Sequence, residues 1–148
     1  MTIADAAKIR GESPEEAIVN LIIEDGSRIQ CIYFSMSEDN VRKKIMLPWV
    51  SFDSDAGSYS DISKDFITHP RAFGSFARVL GKYVREEKLI TMEEAIRRLS
   101  GFPAENLGIK KRGYLKSGFF ADVVVFDPKI IEDKATFEKP LQFAVGVE

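Results

Sequence analysis

Two carboxylates one residue apart, Asp53 and Asp55, follow an apolar run in the stretch VSFDSDAGS at residues 50–58. A carboxylate at the end of a buried strand is expensive unless it has a partner, and the small residues Ala56 and Gly57 leave room for a ligand to approach the backbone. A carboxylate in such a place can act as a general acid or base. The same residues also suit an ordinary polar turn, because an Asp side chain bonds its own backbone there. The pattern alone leaves both interpretations open.

His69 and Arg71 are the other residues that suggest chemistry. The guanidinium of Arg71 can bind a carboxylate through two parallel hydrogen bonds, although a solvated residue at a helix start is equally ordinary. His69 is the single histidine of the chain, and it suits helix capping or support of a neighbouring site residue. A catalytic zinc usually takes three ligands and commonly a His pair, which one histidine cannot supply. No Gly-rich phosphate loop, Cys-x-x-Cys pair or Gly-x-Ser-x-Gly elbow is present.

Composition excludes several classes of partner. The 148 residues are 45% hydrophobic and carry 21 Lys and Arg against 23 Asp and Glu, for a net charge of −2. This balanced, dispersed charge argues against nucleic acid and against an anionic membrane surface as partners. The apolar runs are much shorter than a membrane span, and a secretory signal pattern is absent. We therefore expect a cytoplasmic protein in which the single cysteine, Cys31, is a buried reduced thiol.

Helix and strand signals alternate along the chain. Capping and apolar spacing predict helices over about 2–10, 13–25, 37–46, 70–86 and 91–100, with a further short turn of helix after Pro103. Apolar β-branched and aromatic runs predict buried strands at 28–34, 49–52 and 123–126. Such alternation is typical of parallel α/β proteins, where ligands bind at the carboxyl ends of strands, as Asp53 and Asp55 would. We expect residues 56–68 to form a functional or mobile loop, Asp122 to be a structural turn residue, and Phe73, Phe76 and Tyr83 to lie in the core.

Four blocks in this order carry a family resemblance: IYFSMSEDNVRKKIMLPWVSFDSDAG, HPRAFGSFARVLGKYVREEKLITMEEAIRRLSGFPAENLGI, RGYLKSGFFADVVVFDP and ATFEKPLQFAVGV. Together they resemble the C-terminal part of the N-acyl-D-amino-acid deacylases, or D-aminoacylases, of the amidohydrolase superfamily. The pairing of HPRAFGSFARVLG with ATFEKP is more specific than the G-x-x-x-G-x-x-A-D-V-V-V-F-D element, which many amidohydrolases share. The resemblance covers almost the whole chain.

The resemblance implies an α/β fold: part of a metal-dependent (β/α)₈ barrel with a piece of a small β-domain. Residues 1–112 would supply the last strands and helices of the barrel, and residues 113–148 a strand segment of the β-domain. A whole barrel needs about 250 residues, so the chain would be a fragment of the enzyme. The family's His-x-His and its later Cys and His ligands have no counterpart here. We therefore expect zinc in the complete enzyme and neither bound zinc nor activity in this chain alone.

The resemblance also assigns roles to the candidate residues. Asp55 falls on the family's catalytic Asp, which takes a proton from a metal-bound water and passes it to the leaving amine; it is also a candidate metal ligand in the complete enzyme. Asp53 is the weaker candidate. Arg71 and His69 would bind the N-acyl-D-amino acid substrate. The alternative is a non-catalytic interaction or regulatory module derived from an amidohydrolase. In either case we expect a homo-oligomer, since a partial barrel exposes apolar faces at 29–36 or 49–53.

Overall fold

A computed structural model describes residues 1–27, 29, 31–58 and 68–148. The chain divides into two compact units, Met1–Ser35 and Met36–Glu148. Most of the predicted loop at 56–68 lies outside the described residues, and so do two positions of the predicted strand at 28–34. The predicted domain boundary between residues 112 and 113 remains a prediction.

The first unit is a pair of capped helices, α1 (Ile3–Arg10) and α2 (Pro14–Asp25). Thr2 and Ser13 each accept a hydrogen bond from the backbone three residues later, and the acidic residue there bonds back to the cap. These two capping boxes satisfy amides that a helix start would otherwise leave unpaired. A guanidinium at the end of α1, that of Arg10, pairs with Glu24 of α2. Both predicted helices are confirmed.

The second unit holds the other helices and the core. They are α3 (Glu38–Ile45), α4 (Arg71–Arg78), a π-helical segment (Val79–Glu86), α5 (Met92–Leu99) and α6 (Gly101–Asn106). The π-helical segment continues α4. The predicted helix over 70–86 therefore forms, but the turns of its second half are wider than those of an α-helix. In the described parts of the chain, no helix is long and apolar enough to cross a membrane.

The core of this unit packs the π-helical segment against α5 and the C-terminal stretch. Its buried members are Ala77, Val79, Leu80, Val84, Ala95 and Ile131, with Phe52 among the partly buried residues around them. Tyr83 is also buried, and Phe73 is half-buried. Phe76 was predicted to be in the core but is 49% exposed, because its side chain lines an open groove.

The three predicted strands do not form among the described residues. Positions 29, 31–34, 49–52 and 123–125 have no strand pairing, and Cys31 is exposed rather than buried. Antiparallel pairing is limited to two isolated bridges, Phe126 with Val147 and Glu132 with Val145. A β-strand requires a neighbouring strand for its hydrogen bonds, whereas an apolar run shows only that one would be suitable. The strand predictions, including a parallel strand that ends at Asp55, are therefore not confirmed by the described residues, apart from the bridge at Phe126.

An apolar groove of about 930 Å³ lies within the second unit. Its walls come from α4, α5 and the stretch 113–147, with Phe73, Phe76 and Phe143 among them. Beside it, Asp122 forms an ion pair with Arg112, which agrees with the predicted structural role. The close approach of α6 to the same stretch needs a glycine, because a Cβ on Gly101 would lie 2.3 Å from the Tyr114 ring.

Candidate active site

Asp55 and Arg71 are brought together at the start of α4. The Nη2 atom of Arg71 lies 2.5 Å from Oδ2 of Asp55, and the two side chains are 46% and 76% exposed. They are 16 positions apart in the sequence, and residues 59–67 between them lie outside the described part. The structure thus pairs two of the predicted site residues at a surface that a solute can reach.

Asp53 behaves differently from Asp55. Its Oδ1 accepts a hydrogen bond from the backbone N–H of Ser54 at 2.7 Å, which is the local contact expected of an Asp in a turn. The side chain of Asp55 instead faces a cation from another element. The backbone of Asp55 also has φ of +48°, in the left-handed region that residues with a side chain rarely adopt. Of the two carboxylates, Asp55 is the one whose environment resembles a site.

His69 lies immediately before Pro70, the N-cap residue of α4, and bonds the first turn of the helix. Its Nδ1 accepts a hydrogen bond from the backbone N–H of Arg71 at 3.0 Å, and its carbonyl accepts one from Ala72 at 3.0 Å. Its ring and that of Phe137 form an edge-to-face contact, with 5.1 Å between ring centres. Burial lowers the pKa of His69, the charge of Arg71 lowers it further, and Asp55 opposes them. With Nδ1 as acceptor, the neutral ring carries its proton on Nε2, which is the other edge of the ring.

A residue that sequence reasoning missed, Arg98 of α5, is completely buried. Its Nε and Nη1 donate to the carbonyls of Val50 at 2.5 Å and Ile45 at 2.6 Å. Its guanidinium also lies over the ring of Phe52, 4.5 Å from the centre. Burial lowers the pKa of Arg98, while the carboxylate of Glu94 acts in the opposite direction. The available signal was its position in the apolar spacing of α5, between Ala95 and Leu99.

No metal site is formed by the described residues alone. Nowhere in ranges 1–27, 29, 31–58 and 68–148 do three His, Cys, Asp or Glu side chains lie close enough together to hold an ion. Asp55 offers oxygen atoms, but its described neighbour is the cation of Arg71. These residues therefore do not fit a zinc ion as a complete ligand set.

Comparison with known proteins connects this arrangement to a family of hydrolases. The chain is 41% identical over 117 residues to N-acyl-D-glutamate deacylase of Alcaligenes xylosoxydans xylosoxydans, a match that covers 79% of this chain and 23% of that protein. No model in a scan of protein families matches the chain.

Two solved structures superpose on nearly the whole chain. N-acyl-D-glutamate deacylase from Bordetella bronchiseptica, determined with zinc and a phosphonate mimic of the tetrahedral intermediate, matches 99% of this chain with a TM-score of 0.86 and 39% identity. A D-aminoacylase that defines a subset of the amidohydrolases matches 99% with a TM-score of 0.82 and 34% identity. This chain spans only 29% of either structure. It belongs to the N-acyl-D-amino-acid deacylases of the amidohydrolase superfamily and corresponds to a portion of those larger enzymes.

Proposed function

We propose that this chain is the C-terminal part of a zinc-dependent hydrolase that cleaves the amide bond of N-acyl-D-amino acids. The observation that carries the proposal is the pairing of Asp55 with Arg71, a carboxylate and a cation that suit opposite ends of such a substrate. The homologous enzymes act on N-acyl-D-glutamate and related compounds. In this proposal residues 49–52 become a barrel strand once neighbouring strands pair with them, and residues 113–148 join a small β-domain.

Asp55 is the residue that moves the proton. A carboxylate beside the scissile amide takes a proton from the attacking water and delivers it to the leaving nitrogen, so that the amine departs neutral. The exposed position of Asp55 allows a substrate to reach it. Ala56 and Gly57, which follow it, add little bulk at the same place.

Arg71 and His69 bind the amino-acid end of the substrate. The guanidinium of Arg71 donates to an α-carboxylate in place of Asp55, through the same type of charged hydrogen bond. His69 fixes the backbone of Arg71 through Nδ1 and leaves its Nε2–H to donate to a substrate oxygen. The start of α4 thus provides binding, while Asp55 provides the acid and base.

The zinc site of the proposed enzyme requires more than these residues. The described residues hold no cluster of three ligands, so in this proposal the other ligands come from outside them, and Asp55 contributes at most one. We therefore expect the 148-residue chain alone to bind no stoichiometric zinc and to show no deacylase activity. The single cysteine, Cys31, leaves no internal disulfide and accords with a cytoplasmic enzyme.

The test begins with the reading frame upstream of Met1. The proposal requires coding sequence there that includes a His-x-His, and the longer protein should release amine from N-acetyl-D-amino acids but not from the L-enantiomers. Asp55→Ala in that protein should reduce kcat by at least about 10³-fold, and Asp53→Ala, its matched control, by less than about threefold. A longer protein whose activity survives Asp55→Ala would overturn the proposal.

A second candidate function is a non-catalytic oligomeric or regulatory module. The observation that favours it is the amount of exposed apolar surface, which includes Tyr33 at 81%, Phe34 at 77% and Trp49 at 68% exposure. Apolar surface of this kind promotes association between chains. A stop codon immediately upstream of Met1, together with a stable assembly of the chain, would support this function over the first.

A further inference from the structure

The segment that leads to Asp55 is held by one helix rather than by a sheet. Between the end of α3 and Asp55, residues 46–54 have no strand pairing, so their backbone groups need other partners. Helix α5 supplies several of these partners. Arg98 donates to the carbonyls of Ile45 and Val50, and the Phe52 N–H approaches the Arg98 carbonyl at 3.5 Å.

The neighbouring arginine makes a weaker version of the same contact. Arg97 donates through Nη2 to the carbonyl of Pro48 at 3.1 Å, while its Nε pairs with Glu94 at 2.8 Å. Its side chain is 38% exposed, so water can replace that bond if the side chain is removed. Arg98 is completely buried, its bond to the Ile45 carbonyl is buried, and its bond to the Val50 carbonyl is partly buried, so water can replace these bonds less easily. The two adjacent arginines therefore form a natural comparison.

We propose that Arg98 is a positioning residue for the reaction, because it fixes the segment that carries Asp55 at its end. The inference rests on the proposed function of Asp55. Val50 and Phe52 are the anchored residues nearest to Asp55, five and three positions before it. With both held against α5, the chain has only a short free path to the carboxylate. Removing the guanidinium leaves the buried carbonyl of Ile45 without this donor and breaks the partly buried bond to Val50, so we expect the segment to shift.

Kinetics of the longer protein provide the first test. Arg98→Met keeps an unbranched side chain of similar length but donates no hydrogen bond, and we expect kcat to fall about 100-fold with KM changed less than threefold. Arg98→Lys retains one charged donor and should recover part of the loss. Arg97→Met, the matched control, should stay within about threefold of the unmodified enzyme. Equal losses for Arg97→Met and Arg98→Met would overturn the proposal.

A double-mutant cycle separates positioning from general damage to the fold. If Arg98 acts through Asp55, then Arg98→Met lowers kcat little further in a protein that already carries Asp55→Ala. A full additional loss of about 100-fold would show that Arg98 affects the rate by another route and would contradict the inference. If Asp55→Ala instead leaves kcat unchanged, the proposed function itself is rejected. The two failures are therefore distinguishable.

Hydrogen exchange on the 148-residue chain gives a readout that does not need activity. In Arg98→Met, amides of residues 50–55 should exchange at least about tenfold faster, while those in the first unit, at α1 and α2, keep their rates. Arg97→Met should leave the rates at 50–55 within about threefold of the unmodified chain. Unchanged exchange at 50–55 in Arg98→Met would overturn the proposal. A variant that loses protection everywhere has unfolded, and Arg98→Lys then takes its place, with exchange at 50–55 expected to be faster than in Arg97→Met.

Discussion

Arg71 Nη2 lies 2.5 Å from Asp55 Oδ2, so the cation assigned to the substrate's carboxylate neutralises the residue assigned to proton transfer. Both side chains are substantially exposed, and ion pairs of that kind contribute about 0–1 kcal/mol. In the proposed function, a substrate carboxylate should therefore displace Asp55 from Arg71 with little loss. Substrate binding to Arg71 would then also release the carboxylate of Asp55.

Arg71→Met in the longer protein should raise KM for N-acyl-D-amino acids about 100-fold, because the charged, two-point contact with the α-carboxylate is lost. The same substitution should change KM for an N-acyl amine without a carboxylate by less than threefold. Steady-state kinetics with the two substrates measure the difference. If both KM values rise equally, Arg71 has a role other than carboxylate recognition.

The single histidine permits a direct titration in the 148-residue chain. Burial and the Arg71 charge lower the pKa of His69, so its NMR titration midpoint should lie below 6.5. Because the unfolded state binds the proton more tightly, His69 adds stability at neutral pH, and this contribution is lost as pH falls from about 6.5 through the folded pKa. Arg71→Met should move the midpoint upward. A midpoint above 6.5 would contradict the described environment.

Glu38 ties α3 to the π-helical segment. It forms an ion pair with Lys82 and accepts a hydrogen bond from the Tyr83 hydroxyl at 2.9 Å. The bond from Lys82 is the main cause that lowers the pKa of Glu38, and the bond from Tyr83 adds to it against the effect of burial. The partial exposure of Glu38, 40%, limits the expected loss in Glu38→Gln to about 0.5–1 kcal/mol of unfolding free energy.

The pH dependence of that loss has a defined sign. The pKa of Glu38 is lower in the folded state than its unfolded value of 4.5, so the ionised carboxylate stabilises the protein at pH values above 4.5. This contribution disappears as the pH falls through the folded-state pKa. The difference in unfolding free energy between the unmodified chain and Glu38→Gln, measured by urea unfolding, should therefore be present at pH 7 and become smaller below pH 4.5. Asp39→Asn, at an 82% exposed side chain, is the control and should cost less.

Gly101 allows α6 to approach Tyr114. A Cβ at this position would lie 2.3 Å from the Tyr114 Cζ atom, so Gly101→Ala must displace the ring and weaken its 2.7 Å bond to Glu105. We expect a loss of about 1–3 kcal/mol in unfolding free energy. In a Tyr114→Ala background the collision is absent, and Gly101→Ala should then be close to neutral. Equal losses in both backgrounds would show that the ring is not the obstacle.

Association of the 148-residue chain should follow from its exposed apolar side chains. Burial of a large apolar side chain stabilises an assembly by about 1.5–3 kcal/mol. Phe34 and Trp49 are 77% and 68% exposed in the chain. We expect a homodimer or larger assembly at micromolar concentration, with an interface that includes residues 29–36 or 49–53. Sedimentation velocity measures the assembly, and Phe34→Ser or Trp49→Ser should weaken it. A stable monomer under these conditions would rule the prediction out.

Local signals in the sequence predicted the helices well. Ser13 with Glu16 and Thr91 at the start of α5 are caps whose hydrogen bonds involve residues three positions apart, so a short window contains the whole interaction. The π-helical form of Val79–Glu86 was not predicted, because apolar spacing indicates a buried face but not the width of each turn.

Long-range relationships could not be predicted in the same way. The strand-like runs contain the right residue types, but pairing depends on a partner that the local sequence does not specify. Arg98 was missed for a similar reason: its carbonyl partners are 48 and 53 positions away. Asp55 and Arg71 were candidates from their residue types, the family resemblance favoured a functional role for them, and their mutual contact was not predicted.

The left-handed backbone conformation of Asp55 favours a glycine, whereas the proposed chemistry requires a carboxylate. At φ of +48°, glycine would avoid the steric clash that a Cβ atom meets, so keeping any side chain at position 55 costs the folded state some backbone strain. Replacement by glycine would remove the functional group and relieve the backbone together. Selection for thermal tolerance alone would therefore tend to erase this carboxylate, and a laboratory search for robust variants should be coupled to a measurement of turnover.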